Sequence, residues 1–101
     1  MDLQVTDHPD EQQFEMRADG ELVGVIVYHV RGSAMAFLHT ATEEGFRGQG
    51  AASHLVQFGL DAARARHLSV LPYCPYVKRW IAEHPDYLHL VPEDRRQGFG
   101  L

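Results

Sequence analysis

The sequence predicts a mixed α+β fold in which an antiparallel meander of three strands is followed by a helix, a strand and a second helix. Three features support this prediction. β-branched and aromatic residues cluster in three early segments, tight turns separate those segments, and small apolar residues recur at helical spacing afterwards. Because the chain has 101 residues, of which 45% are apolar, we expect one domain over residues 1–101.

The three strands are predicted between residues 12 and 42. Residues 12–18 alternate between apolar and polar side chains, as a half-buried strand does. Asp19-Gly20 is a strong hairpin signal, and the β-branched run 22–30 after it predicts a longer, more buried strand. A second turn then leads into a third strand over residues 34–42, which completes the meander.

The second half of the chain predicts helix, strand and helix. A first helix from about Ala51 to Arg66 follows from apolar residues at helical spacing. A short strand lies within 67–74, and residues 76–84 predict a second helix that Pro85 stops. The tail 94–101 has no periodicity, so we expect it to fray.

Composition excludes several classes of function. The formal charge is −5, whereas sequence-independent binding of nucleic acid needs a basic face, so we expect no nucleic-acid partner. No apolar run reaches the length of a membrane span, and the start of the chain is polar and acidic. Cys74 is the single cysteine, which rules out an internal disulfide. We therefore expect a cytoplasmic protein with no membrane partner.

The glycine-rich stretch directly before the first predicted helix is the strongest functional signal. A helix N-terminus carries unpaired N–H groups and about half a positive charge, and glycines let a ligand approach its backbone closely. Small residues follow the glycines, and an arginine there can add a charge-assisted contact. We therefore expect an anion cradle at Arg47, Gly48, Gln49, Gly50, Ala51 and Ala52. The alternative is a tight turn that merely needs glycine, and we prefer this for Gly45.

Two better-known phosphate-binding motifs do not match this stretch. It lacks the Gly-Lys-Ser/Thr of nucleotide-triphosphate loops. A dinucleotide fingerprint would need glycine where Ser53 stands, and a βαβ unit at the start of the chain.

The hexapeptide 47–52 resembles the acetyl-CoA signature Q/R-x-x-G-x-G/A of the GCN5-related N-acetyltransferases. In that family the turn follows a central strand, opens a long helix and holds the CoA pyrophosphate on backbone amides. The chain as a whole resembles the smallest branch of the family, which has a His-Thr pair before the signature and a Cys-Pro pair after the next strand. Here these pairs are His39-Thr40 and Cys74-Pro75. The resemblance implies the family's fold, acetyl-CoA as co-substrate and an amine acceptor.

The chain also departs from the larger members of that family. They carry two helices between their first strands, and the stretch from Phe14 to Val30 leaves no room for these. They often have asparagine where Cys74 stands and a tyrosine acid where Trp80 or Ile81 stands. The usual general acid and the usual substrate cleft are therefore not implied.

Two residues are candidates for the chemistry of acetyl transfer. On an alternating strand His39 shares a face with Met35 and Phe37, and imidazole suits proton transfer near neutral pH. The alternative is a packed histidine satisfied by backbone. Cys74, at the end of a strand, is a nucleophile, a proton donor to the CoA thiolate, or a small buried hydrophobe. Tyr73 and Tyr76 are alternative proton donors.

A metal site is not expected, because none of the seven histidines lies four residues from another and no second cysteine exists. The sequence thus predicts an N-acetyltransferase for a small-molecule or protein amine, acting as a monomer or weak homodimer. The main alternative is a non-catalytic CoA-binding module. A third is an interaction domain that binds no CoA.

Overall fold

The structure is a computed structural model that describes residues 3–43 and 50–101. Its sheet has five strands in the spatial order β1-β2-β3-β4-β5. Each of β1, β2 and β3 runs antiparallel to the strand that follows it, and β5 runs parallel to β4. The strands are β1 (Leu3–His8), β2 (Gln13–Ala18), β3 (Glu21–Arg31), β4 (Ala34–Thr42) and β5 (Ser69–Pro72). The helices are α1 (Ala51–Ala65), α2 (Pro75–Glu83) and α3 (Glu93–Arg96), with 3₁₀ segments at Pro85–Leu90 and Gln97–Phe99.

The predicted mixed α+β class is confirmed, and the order meander, helix, strand, helix is the observed one. α1 packs across β2 to β5, while α2 packs on β4, β5 and α1. No helix in the described parts of the chain is long and apolar enough to cross a membrane.

The core lies between α1 and the sheet face that carries Phe14 and Phe37, both of which are fully buried. Gly59 brings α1 close to this face. A Cβ at that position would lie 3.1 Å from the Phe37 ring and 3.4 Å from the Phe14 ring. The helix is therefore seated against two aromatic rings, and a side chain at residue 59 would require a small shift of the Phe37 ring or of α1.

The meander has a fourth strand, β1, that the sequence pattern does not predict. β1 pairs along the whole of β2, and only Leu3 and Val5 among its side chains pack against the core. Its other anchor is polar, because the Tyr28 hydroxyl donates to Asp7 at 2.6 Å. Burial, followed by this bond, raises the pKa of Tyr28 to about 12.

The expectation of a frayed tail is wrong. α3 and the 3₁₀ segment after it are ordered, and Phe99 is buried with its ring centroid 5.2 Å from that of Tyr73. The Arg96 Nε also donates to the Val91 carbonyl at 3.0 Å. Phe99 and Leu101 are the apolar contacts of the tail with the core, and two residues produce no periodicity in a sequence.

Glu15 is the one buried charged or polar residue among those described, and it lies on the sheet face opposite the core. Its carboxylate accepts hydrogen bonds from Gln13 Nε2 at 2.7 Å and Arg17 Nη2 at 3.1 Å, and His8 Nε2 lies 3.3 Å away. The bond from Gln13 contributes most to lowering the pKa of Glu15 from its ordinary value of 4.5, against the opposing effect of burial.

We predict that Glu15→Gln destabilises the protein at pH 7 by roughly 1–3 kcal/mol, the range for hydrogen bonds to a charged group. Because the pKa of Glu15 is lower in the folded state, its contribution is complete above pH 4.5 and is lost as the pH falls below that value. Urea unfolding at pH 7 and pH 3 measures this, with exposed Glu21→Gln as the control. The prediction is contradicted if the free energy of unfolding differs between wild type and Glu15→Gln by the same amount at both pH values.

Candidate active site

The site begins where β4 and β5 separate. The two strands pair only from Ala34 with Ser69 to Phe37 with Pro72. One further backbone bond follows, from the Cys74 N–H to the Phe37 carbonyl at 2.8 Å. Within the described residues, no strand pairs with residues 38–42 of β4 on their β5 side. An edge of this kind offers backbone N–H and C=O groups to an extended ligand.

A β-bulge in β4 lies at the same point. Tyr28 pairs with Phe37 and Val27 pairs with His39, so Leu38 is an extra residue that displaces the alternation of the strand by one. The expected face of His39 is therefore wrong. Its side chain is exposed, whereas Met35 and Phe37 are fully buried.

Thr40 lies on the inward side of β4, where the alternation of side chains along a regular strand would place His39. Its Oγ1 lies 3.4 Å from the Sγ of Cys74, which is 4% exposed. The structure thus joins Cys74 to Thr40, across 34 positions of sequence, and leaves His39 on the other side of β4. The sequence indicates Thr40 only as the neighbour of His39, because a bulge leaves no mark in the pattern of an unbroken apolar strand.

α1 begins at Ala51 and packs against β4. Gly50 is the N-cap, with φ 78° and ψ 4°, in the left-handed region that favours glycine. No side chain caps the helix, its first turn has no acidic residue, and the first helical bond runs from His54 N–H to the Gly50 carbonyl. The N–H groups of residues 51–53 therefore have no partner within the helix. Arg47, Gly48 and Gln49 lie outside the described residues.

A hydrogen bond fixes α2 to this end of α1. Trp80 Nε1 donates to Ser53 Oγ at 2.8 Å, and the Trp80 ring stacks on His84 with centroids 3.8 Å apart. The buried residues Val77, Trp80 and Ile81 form the inner side of α2. Since Cys74 is the N-cap of α2, this contact also sets the position of the thiol relative to the start of α1.

The two tyrosines beside Cys74 differ in their surroundings. Tyr73 is 48% exposed, and its hydroxyl accepts a hydrogen bond from Arg95 Nη2 at 3.0 Å. Tyr76 is half-buried, with the Arg79 guanidinium 5.4 Å from its ring centroid.

One group of metal-ligating side chains occurs in the described residues, at the opposite edge of the sheet from β5. One ligand atom each of His8, Glu11 and Glu15 lie within 4.8 Å of one another. The Arg17 guanidinium already pairs with Glu15 at 3.1 Å, so a cation is in place there. The group is explained as an ion-pair cluster, and the absence of a metal stays a prediction.

We predict that Thr40→Val slows alkylation of Cys74 by iodoacetamide several-fold, because the hydroxyl can donate to the thiolate, which is the reactive form. The isosteric change of Thr42 on the same strand is the control. Mass spectrometry of the modified protein over time gives the rates. Equal rates in the Thr40 and Thr42 variants would show that the Thr40 hydroxyl has no influence on the thiol.

The fold combines an antiparallel meander, a β4–β5 pairing that ends at Phe37 and Pro72, and a helix whose N-cap is Gly50. This combination defines an acetyltransferase-type α+β fold. Residues 13–90 match the family model of the GCN5-related N-acetyl-transferases, and the chain belongs to this family. The family acts on amine acceptors. The predicted family is thereby confirmed, while the assignment to its smallest branch stays a prediction.

Individual proteins are similar to this chain in sequence or in structure. The chain is 32% identical to Protein NATD1 of Gallus gallus over 95 residues, which cover 89% of this chain and 86% of that protein. A GCN5-like putative N-acetyltransferase of Staphylococcus aureus is similar in structure, with a TM-score of 0.64, 20% identity and coverage of 89% and 88%. Ard1 of Thermoplasma volcanium gives a TM-score of 0.54 and 28% identity over 60% of this chain. This chain spans only 43% of that Ard1 chain.

Proposed function

We propose that the protein is an acetyl-CoA-dependent N-acetyltransferase that moves an acetyl group to an amine, within a single domain over residues 1–101. The observation that carries the proposal is the separation of β4 from β5 beyond Phe37, with the thiol of Cys74 at the point of separation. The open edge of β4 runs from that point to Thr42. We further propose a cytoplasmic monomer or weak homodimer.

The CoA-binding residues that we propose are Arg47, Gly48, Gln49, Gly50, Ala51 and Ala52. Support comes from the described part of this set. The N–H groups at the start of α1 have no helical partner, and no acidic side chain in the first turn repels an anion. A Cβ built on Gly50 would meet no atom of residues 3–43 or 50–101 within 4 Å, so these residues leave space beside the backbone. The open edge over residues 38–42 suits the amide groups of pantetheine.

Acetyl transfer forms a bond between the amine nitrogen and the acetyl carbon and breaks the carbon–sulfur bond. One proton leaves the amine, and one proton reaches the departing thiolate. We propose that His39, exposed beside the bulge, accepts the first, and that Cys74 donates the second. In that role Thr40 holds the Cys74 thiol in place through the 3.4 Å contact.

The burial of Cys74 favours the alternative function, a non-catalytic CoA-binding module. At 4% exposure and in contact with Thr40, the thiol also has the surroundings of a structural cysteine. His39 on the opposite side of β4 does not complete a pair with it.

We predict that Gly50→Asp weakens CoA binding by about tenfold or more, while Gly50→Asn weakens it much less. Both side chains tolerate the left-handed backbone of Gly50, and only aspartate adds a negative charge at the proposed pyrophosphate site. Calorimetric titration with CoA measures the affinities, and circular dichroism checks the fold. If the two variants bind CoA equally, the pyrophosphate lies elsewhere.

For turnover, we expect His39→Ala and Cys74→Ala each to lower kcat by roughly a hundredfold, with CoA affinity largely kept. Release of CoA thiol in the presence of an amine panel measures this, and Cys74→Ser tests whether a weaker proton donor restores part of the rate. If His39→Ala and Cys74→Ala both keep full activity, neither residue is catalytic. If wild type turns over no amine and still binds CoA, the binding module is the correct function.

A further inference from the structure

The sheet face opposite α1 carries an apolar groove that the proposed CoA site does not use. Ala34, Ala36 and Leu71 form its floor, since Ala36 alternates with the buried Met35 and Phe37 and pairs with Leu71. The groove has a volume of about 320 Å³, which is at the lower end of the range for small-molecule sites.

Two large exposed side chains border one end of the groove. Leu38 is 46% exposed and Tyr73 is 48% exposed, and both line it. Leu38 is the extra residue of the bulge, and the bond from Arg95 holds the Tyr73 hydroxyl. His39 is exposed and follows Leu38, so this end of the groove is the one next to the proposed base, while the Cys74 thiol after Tyr73 is buried.

The groove is cationic in an acidic chain. Arg31 lies at the end remote from Tyr73, where it pairs with Ala34, and His29 lines the side. No aspartate or glutamate lines this groove, and Arg31 forms no ion pair with any residue in 3–43 or 50–101. Its charge is therefore available for a carboxylate.

We propose that the groove binds the acceptor, and that the acceptor is a small amine whose carboxylate lies at the far end of an apolar chain. The proposal rests on the acetyltransferase function above. From Ala34 to Leu38 the strand rises about 13 Å, and the Arg31 side chain spans part of that distance. An amine at the Leu38 end and a carboxylate at the Arg31 end are thus several bonds apart, which excludes a simple α-amino acid.

The size of the groove favours a small molecule over a protein partner or a second copy of the chain. A stable protein interface buries about 800 Å² on each side, which is far more surface than the few side chains lining this groove supply. In the acetylated product the carboxylate remains on Arg31, while the nitrogen has lost one proton and gained the acetyl group.

The test compares 6-aminohexanoate, 1,6-diaminohexane and glycine as acceptors for the full chain with acetyl-CoA. We expect kcat/KM for 6-aminohexanoate to exceed that for each of the other two by about tenfold or more, as a charge-assisted contact predicts. Arg31→Glu should invert the order of 6-aminohexanoate and 1,6-diaminohexane. Arg64→Glu, on the exposed end of α1, should leave the order unchanged.

A binding measurement separates this proposal from the activity on which it rests. Saturation-transfer NMR on 6-aminohexanoate should show contact with wild type and loss of contact with Arg31→Glu. If binding follows this pattern without turnover of any amine, the ligand class is supported and the acetyltransferase function fails. If acetyl-CoA is consumed with no preference among the amines, or with a preference that Arg31→Glu does not alter, the ligand class is wrong. A dimer that covers the groove in sedimentation and cross-linking would also overturn it.

Discussion

The separation of β4 and β5 is the constraint on which the rest of the site depends. β5 pairs with β4 over all four of its residues, and the pairing ends at Phe37 and Pro72 while β4 continues to Thr42. Proline at residue 72 has no N–H for the ladder, and proline at residue 75 starts α2 one residue after Cys74. The chain therefore turns away from β4 just where the bulge turns β4, and a free strand edge results.

The two helices extend this arrangement to the start of α1. Trp80 ties α2 to Ser53, three residues into α1, and Cys74 begins α2. Movement of one helix start would thus carry the other with it. The thiol, the open edge of β4 and the unpaired N–H groups are held in one frame by a single indole–hydroxyl bond and the core packing around it.

Much of this fold could be predicted from the sequence, because β2 to β5, α1 and α2 bury enough apolar surface to show their period. The strand β1 could not, since Leu3 and Val5 are its only side chains packed on the core. The bulge at Leu38 could not either, because it depends on register with β3 and not on any local pattern. This single displacement moved the inward position from His39 to Thr40. The glycine signature predicted the family, since backbone access near a helix start must be encoded by glycine, whereas side-chain roles depend on packing.

The residue at position 59 influences the proposed ligand site from a distance, because it sets how closely α1 packs on the sheet. The helix is seated on Phe14 and Phe37 there, about 13 Å along its axis from Gly50. A side chain at residue 59 would require the Phe37 ring, the middle of α1 or both to move, because even its Cβ would lie 3.1 Å from that ring. The distance between α1 and the sheet thus depends on residue 59, which lies about two to three helical turns from the start of α1.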